Sequence, residues 1–409
     1  MNSMSYLIFS IMPMFICLFW VVLLLIDRQH INLSKRFLAF FLSLAFVNYF
    51  THALYFNHQY ELYSLFDSIW CFTSLAVFPL YYYYIRLLTK DVKINYRWAW
   101  ILISSFLLSA FSSCLYFLMS PEEKDIFIQG IMYHKEGFLT TDSVLVELQI
   151  LRLQIFKIIF IIQVVFALYF GLKLIREYNI EIRRFYSNIG GKDLNPIEWL
   201  LLFFVFACVI SVVSSIIGKD YFMVHPLFLI IPSFTHSLFL FGVGYFGYKQ
   251  NFTIEEFKKD IAIAKAESKL YSEKQITNVK NEILNNEELQ KKLFQLLEED
   301  KIYRQPELRI TDVANLLNTN RTYISKIIND ELHTNFSDLI NEYRIESAKN
   351  QLLDCTKNAL SLTEIAENSG FSTNSSFYRV FKNKVGVSPG DFRKKGCDST
   401  LMQFKGMIK

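Results

Sequence analysis

SLTEIAENSGFSTNSSFYRVFKNKVGVSPGDFR, residues Ser361 to Arg393, is the stretch that decides how this chain is read. It divides into a helix, a tight turn and a second helix. Ser361 can cap the first helix, and Glu364, three residues on, supplies the other half of a capping box. Ile365 and Ala366 give that helix an inner face, and Gly370 supplies the positive φ that the turn needs. Ser372 is placed to cap the second helix. On it, Phe377, Val380, Phe381 and Val385 recur at helical spacing and are expected to be buried. Asn374 stands at its start, and Ser375, Tyr378, Arg379 and Lys382 fall on the face opposite the apolar one. Such a hydrogen-bonding, cationic face is equipped for a major groove. Gly386 stops the helix, and Ser388-Pro389 starts another with Asp391 in its first turn.

Upstream the chain partly repeats itself. Leu308-Arg309-Ile310-Thr311-Asp312-Val313-Ala314 echoes Leu360-Ser361-Leu362-Thr363-Glu364-Ile365-Ala366. Asn318 stands where the second copy has Gly370, and Asn is the next best residue for the left-handed region. Arg321 to Asn329 is then a first recognition helix, with Ile324, Ile327 and Ile328 facing in and Arg321, Thr322, Ser325, Lys326 and Asn329 facing out. Phe336 to Leu353 reads as the helix linking the two motifs, with Phe336, Leu339, Ile340, Tyr343 and Leu352 as its apolar stripe. The first motif departs from its repeat at Arg309, which holds the capping position but cannot accept from backbone N–H groups.

These residues resemble the double helix-turn-helix domain of the AraC/XylS family of bacterial transcription regulators. The matching positions are Ile365, Ala366, Gly370, Phe371, Ser372, Ser375, Phe377, Arg379, Phe381, Lys382, Gly386, Pro389, Phe392 and Arg393, and the similarity covers about residues 290 to 395. The resemblance implies an all-α domain with both recognition helices on one side, entering successive major-groove turns of double-stranded DNA. It gives as DNA-binding candidates Arg321, Thr322, Ser325, Lys326, Asn374, Ser375, Tyr378, Arg379 and Lys382, and it implies that the position of Arg379 contacts backbone phosphate. RNA polymerase is a further partner to expect. Ser376 and Tyr378 differ from the family's usual residues, so no base preference is carried over.

The other three fifths of the chain have a different character. Of 409 residues, 52% are hydrophobic and 17% aromatic, with 40 Phe and 23 Tyr, and the net charge is only +4. Apolar segments of membrane length recur at about 5–26, 37–57, 65–87, 98–119, 153–175, 198–218 and 226–248. A water-soluble core holds one such segment, not seven. The expected fold class is therefore all-α: a polytopic helical membrane bundle of about seven spans, followed by a cytoplasmic AraC-type double helix-turn-helix domain. The expected domains are a transmembrane sensor or anchor at 1–248, a juxtamembrane linker helix at 249–288, the DNA-binding domain at 289–395 and a basic tail at 396–409.

The loops orient the bundle. Arg28, Lys35 and Arg36 follow the first span; Arg86, Lys90, Lys93 and Arg97 the third; Lys173, Arg176, Arg183, Arg184 and Lys192 the fifth. The intervening loops are cation-poor: 58–64 has none, 120–150 only Lys124 and Lys135, and 219–225 only Lys219. The positive-inside rule then puts the N-terminus outside and the C-terminus in the cytoplasm of a bacterial cell. DNA is on that side, and the two arguments share no residues. The first span has no cation before it, so it is expected to stay as an anchor rather than be cleaved.

The largest external segment, 120–150, carries Glu122, Glu123, Asp125, Glu136, Asp142 and Glu147 and is too short for a separate binding domain. An unknown ligand is expected to be read there, in the bundle interior, or through a membrane partner. His52, His58, His134 and His225 fall near the outer face and His236 within the last span; they are read as isolated rather than as a metal site. The six cysteines include no CxxC, and neither metal nor cofactor is assigned. Tyr81 to Tyr84 read as part of an interfacial aromatic belt, and Pro79 as a kink. Beyond residue 250, Ile254, Phe257, Ile261 and Ala264 make two short heptads, followed by Leu270, Ile276, Val279 and Ile283 with drifting register. This helix either pairs with its copy in a homodimer or is a solvated spacer.

An enzyme needs a phosphate cradle, a metal site or an activated nucleophile, and no Gly-rich nucleotide loop or H-E-x-x-H occurs. The expected function is a membrane-embedded one-component transcription regulator. The alternative is a membrane transporter or receptor whose C-terminal domain is a regulatory partner module. Sparse intramembrane charge, mainly Lys157 and Asp67, argues against an ion-coupled carrier.

Overall fold

The computed structural model describes residues 2–27, 32–133, 143–217, 221–222, 225–277, 286–354 and 360–396. All regular structure among them is helical. The chain divides into two compact units: Met1–Tyr178 with Leu194–Glu255, and Asn179–Asp193 with Glu256–Lys409. The division cuts across the sequence reading, which grouped 179–193 with the apolar helices.

In the first unit, seven helical stretches among the described residues are long and apolar enough to cross a membrane. They are Leu7–Ile26, Leu33–Phe56, Tyr60–Thr89, Tyr96–Leu118, Val144–Phe185, Asn195–Ser214 and Leu227–Ala266. Each overlaps one of the apolar segments read from the sequence. The first helix packs against the second and the last, the second against the third, and the third against the fourth. Val144–Phe185 is the longest at 42 residues. At 1.5 Å per residue it is about 63 Å long, roughly twice a bilayer's hydrocarbon thickness. Its final residues, from Asn179, belong to the second unit.

Three features of this unit differ from expectation. Tyr81 to Tyr84 are all buried, so they are core rather than an exposed belt. Their rings meet Phe37, Phe166, Phe204 and Phe239 from four other helices. Second, Asp67 has a partner that the sequence reading overlooked. Arg152 Nη2 donates to its carboxylate at 2.7 Å, and neither side chain is exposed. Tyr63 and Tyr116 hydroxyls donate to the same carboxylate at 3.0 Å each. Third, residues after Ser120 fold back as a compact cap. A capping box of Ser120 and Glu123 starts Pro121–Asp125. Tyr133 then stacks on Tyr55 at 4.3 Å, with Tyr55 donating to the Met132 carbonyl at 2.6 Å.

The histidines have separate partners. His52 accepts from Trp70, His236 bonds to Ser211 and to the Pro232 carbonyl, and His58 lies against Tyr60. Among the described residues no three metal-ligating side chains gather. Arg28, His134, Lys135, Glu136, Asp142, Lys219, Val279, Ile283, Cys355, Cys397 and the tail from 397 lie outside the described residues.

The linker helix begins at Ile254. Ile254, Phe257 and Ala264 are buried within the chain, and Phe257 packs against the rings of Phe185 and Tyr186. Ile261, the other residue of the two heptads, is half-buried. The side chains of Leu270 and Ile276 are outside the described set.

The second unit continues with Asn286–Glu298, whose Leu289, Leu293 and Leu297 are buried. Its helix-turn-helix cores are built as the sequence spacing requires. Ile345, Ala348 and Leu352 of the linking helix pack with Ile365, Ala366, Phe371, Phe377 and Phe381 of the second motif. In the linking helix, Phe336–Leu352, Tyr343 is only half-buried. The inward place beside it is taken by Arg344, which is 1% exposed.

Candidate nucleic-acid interface

The second motif is fixed by local chemistry. Ser361 N–H donates to the Glu364 carboxylate at 2.7 Å, and Glu364 N–H donates to Ser361 Oγ at 3.2 Å. These bonds hold the Glu364 carboxyl below its ordinary value. Gly370 has φ +88°, and a Cβ there would stand 2.4 Å from the Tyr303 carbonyl oxygen. The turn therefore needs glycine both for its backbone conformation and for space. The recognition helix runs Asn374–Val385. Its cap is Thr373, whose Oγ1 accepts from Ser376 N–H at 3.1 Å. The expected cap, Ser372, lies one residue too early and instead accepts from the Asn188 amide. Gly386, at φ +87°, closes the helix through its N–H to the Lys382 carbonyl.

The first motif solves its ends differently. Arg309 offers no cap, but its N–H donates to the Asp312 carboxylate at 2.7 Å. Asn318 takes φ +52°, as its position in the repeat requires. Asn320 caps the recognition helix, accepting from the N–H groups of Thr322 and Tyr323 at 2.9 and 3.2 Å. That helix runs Arg321–Lys326 and continues as a wider turn, Ile327–Glu331. Ile324, Ile327 and Ile328 are fully buried, so the opposite face is presented outward.

Most candidate residues are accessible. Thr322, Lys326, Asn374, Ser375, Tyr378 and Lys382 are exposed. Ser325 is half-buried, its Oγ accepting from Asn329 at 2.8 Å, and Asn374 donates to Thr363 Oγ1 at 2.9 Å. The two arginines are engaged. Arg321 lies 5.0 Å over the Phe185 ring and 3.8 Å from Glu181. Burial lowers its pKa, with Glu181 opposing. Arg379 Nη1 stands 3.6 Å from Asp193.

The sequence reading missed what those contacts reveal: residues 179–193 form part of this domain. Ser187 is fully buried. Its N–H and its hydroxyl both donate to the Leu308 carbonyl, at 3.1 and 2.7 Å. Its own carbonyl accepts from Ser337 at 3.1 Å, and its hydroxyl accepts from Arg344 at 3.1 Å. Arg344 also donates to the carbonyls of Tyr303 and Gln305, each at 2.7 Å. Burial pushes its pKa down to about 10 against the attraction of Glu307. Burial pulls the Glu307 carboxyl up, but hydrogen bonds from Asn188 and Lys192 outweigh it and hold it below the ordinary value. The available signal was Phe185-Tyr186, an aromatic pair where the long helix ends.

Residues 313–395 match a family model described as a helix-turn-helix domain. The chain is 38% identical over 98 residues to the uncharacterized HTH-type transcriptional regulator YfiF of Bacillus subtilis, covering 24% of this chain and 30% of that protein. It is 36% identical over 88 residues to the Msm operon regulatory protein of Streptococcus mutans, covering 22% and 31%. Among solved structures, the C-terminal domain of AraT, a response regulator from Geobacillus stearothermophilus, matches at 34% identity over 26% of this chain and 84% of that one, with TM-score 0.24. The chain thus spans less than a third of the length of these two curated relatives. Their names describe regulators.

Proposed function

We propose that this chain is a membrane-embedded one-component transcription regulator, which binds double-stranded DNA through two helix-turn-helix motifs in response to a signal read in or near the membrane. The observation that carries the DNA-binding part is the paired recognition helices. Each buries one face in the domain core and presents hydroxyl, amide and cationic side chains on the other. Seven of the candidate residues are exposed there: Thr322, Lys326, Asn374, Ser375, Tyr378, Arg379 and Lys382. Cations of this kind take phosphates, and the short polar side chains reach base edges.

The membrane part is supported by the outward surface of the long helices. Phe15, Leu65, Phe106, Phe117, Ile162 and Trp199 are all exposed, and a large apolar surface of this kind is what hydrocarbon covers. The cation-rich loops support a cytoplasmic C-terminal domain. A second copy of the chain and RNA polymerase are partners this reading brings with it, alongside DNA and the lipid bilayer.

Two measurements test the reading. Purified full-length protein in lipid nanodiscs is titrated with a mixed-sequence DNA duplex at several salt concentrations. Binding that is tight at low salt and falls linearly in log–log form is expected; no binding at low salt removes the DNA-binding role. A reporter active only outside the cytoplasm is expected to be active when fused near Asp125 and silent after Lys249. The reverse pattern contradicts the orientation.

A further inference from the structure

The segment Asn179–Asp193 has both ends covalently continuous with apolar helices, Val144–Phe185 and Asn195–Ile217. Its middle nevertheless belongs to the DNA-binding unit. The docking is a built interface. Ser187 is fully buried, and its backbone and hydroxyl groups are satisfied by Leu308, Ser337 and Arg344, from both the first motif and the linking helix. Leaving such groups unpaired in a buried site is costly, so the match is specific. Asn188 and Lys192 add hydrogen bonds to Glu307 at 2.7 and 2.9 Å.

The periphery of the same segment falls on the recognition helices. Glu181 and Phe185 engage Arg321, the first residue of one. Asp193 engages Arg379, in the middle of the other, and Asn188 bonds to Ser372 just before it. Glu181 and Asp193 are the only acids in the segment, and each lies by an arginine of a different recognition helix. A carboxylate against a guanidinium presents the same charge that a DNA phosphate would.

We propose that Asn179–Asp193 is an autoinhibitory latch, in which Glu181 and Asp193 stand in for backbone phosphates on Arg321 and Arg379, so that the docked domain is the low-affinity form. The proposal rests on the DNA-binding reading above. Its physics suits a switch. Arg321 and Arg379 keep 27% and 40% of their side chains exposed. Ion pairs this open are weak and salt-sensitive, and a polyanion can displace them. A shift of either flanking apolar helix pulls directly on an end of the latch. A ligand that favours one arrangement of those helices thereby biases the latch, by no more than its differential affinity for the two arrangements.

The test uses full-length protein in nanodiscs and a mixed-sequence DNA duplex. Glu181→Gln with Asp193→Asn removes both carboxylates. It is expected to bind about three- to tenfold more tightly, the scale of releasing two partly exposed pairs. A charge-matched control, Asp300→Asn with Glu342→Gln, corrects for the change in net charge and is expected to shift binding less. Independently, Asn188→Cys with Ser372→Cys is oxidised to lock the latch. The locked form is expected to lose at least about tenfold in affinity and to regain it on reduction, while the parent chain, with its own cysteines, is unchanged by the same treatment. A double neutralisation that binds no better than the control, or a locked form that binds as well as the reduced one, overturns the latch and leaves DNA binding standing. If the neutralised and reduced forms bind no DNA at all, the DNA-binding reading itself fails and the latch with it.

Discussion

Arg152 and Asp67 meet at 2.7 Å with neither side chain exposed. Eighty-five residues separate them in sequence; two tyrosine hydroxyls also donate to Asp67, and Gln149 accepts from Arg152 Nε. A buried pair is costly to desolvate, and removing one member strands the other's charge. Arg152→Met alone is therefore expected to destabilise the apolar-helix unit by about 3–5 kcal/mol. Asp67→Leu combined with Arg152→Met is expected to recover much of that loss. Thermal unfolding of the detergent-solubilised protein checks it. Equal damage from the single and double changes would mean that the pair does more than hold structure.

Gly370 and Gly386 offer a matched comparison, since both have φ near +90°. A Cβ at Gly386 meets open space, whereas one at Gly370 meets the backbone of Tyr303 and Arg304. Gly386→Ala is expected to cost about 1–2 kcal/mol, the backbone penalty alone. Gly370→Ala adds a clash with backbone that cannot rotate away, and is expected to cost clearly more. Denaturant midpoints compared at constant m measure the difference.

Lys382 and Ser375 separate two kinds of contact. Lys382 is exposed in the last turn of the second recognition helix. Lys382→Ala is expected to weaken binding to all sequences alike and to lower the salt slope by about 0.9. Ser375→Ala is expected to leave the slope alone and to change preference at one or two base pairs, by roughly 1–3 kcal/mol for a good contact. Binding to a randomised duplex pool at several salt concentrations reads both.

Glu307 gives the latch a pH dependence. Asn188, Lys192, Ser372 and Arg344 all face it, and its folded-state pKa is depressed below the ordinary 4.5. Its contribution is therefore fully present above that value and is lost as pH falls through the lower, folded-state value. Hydrogen exchange at the Ser187 amide, which donates to Leu308, is expected to accelerate across that acidic window relative to a Glu307→Gln chain. No difference between the two chains at any pH would remove Glu307 as the titrating group.

What the sequence made legible was local. The Ser361–Glu364 box, the left-handed turns at Asn318 and Gly370, and the inward isoleucines and phenylalanines each depend on neighbours within a turn or two, and the structure has them. Ser372 and Thr373 are both good caps, and only the helix start at Asn374 chooses between them. Tyr81–Tyr84 could not be told from a membrane belt, because burial on every face depends on helices distant in sequence. Arg152 stands one residue before the apolar segment at 153–175, and no local pattern pairs it with Asp67, 85 residues away. The apolar position of Phe257 announced a partner surface, but its occupant, Phe185-Tyr186, is also part of this chain.

The central claim is that the full chain reads DNA through both recognition helices, and the most direct measurement is to map the DNA crosslinked to it in living cells. The expected result is enrichment of discrete sites, each about two major-groove turns long, that is lost when Lys326→Ala and Lys382→Ala are combined at unchanged protein level. Recovery of no more DNA than from cells lacking the protein, or the same sites from the doubly substituted chain, would contradict it.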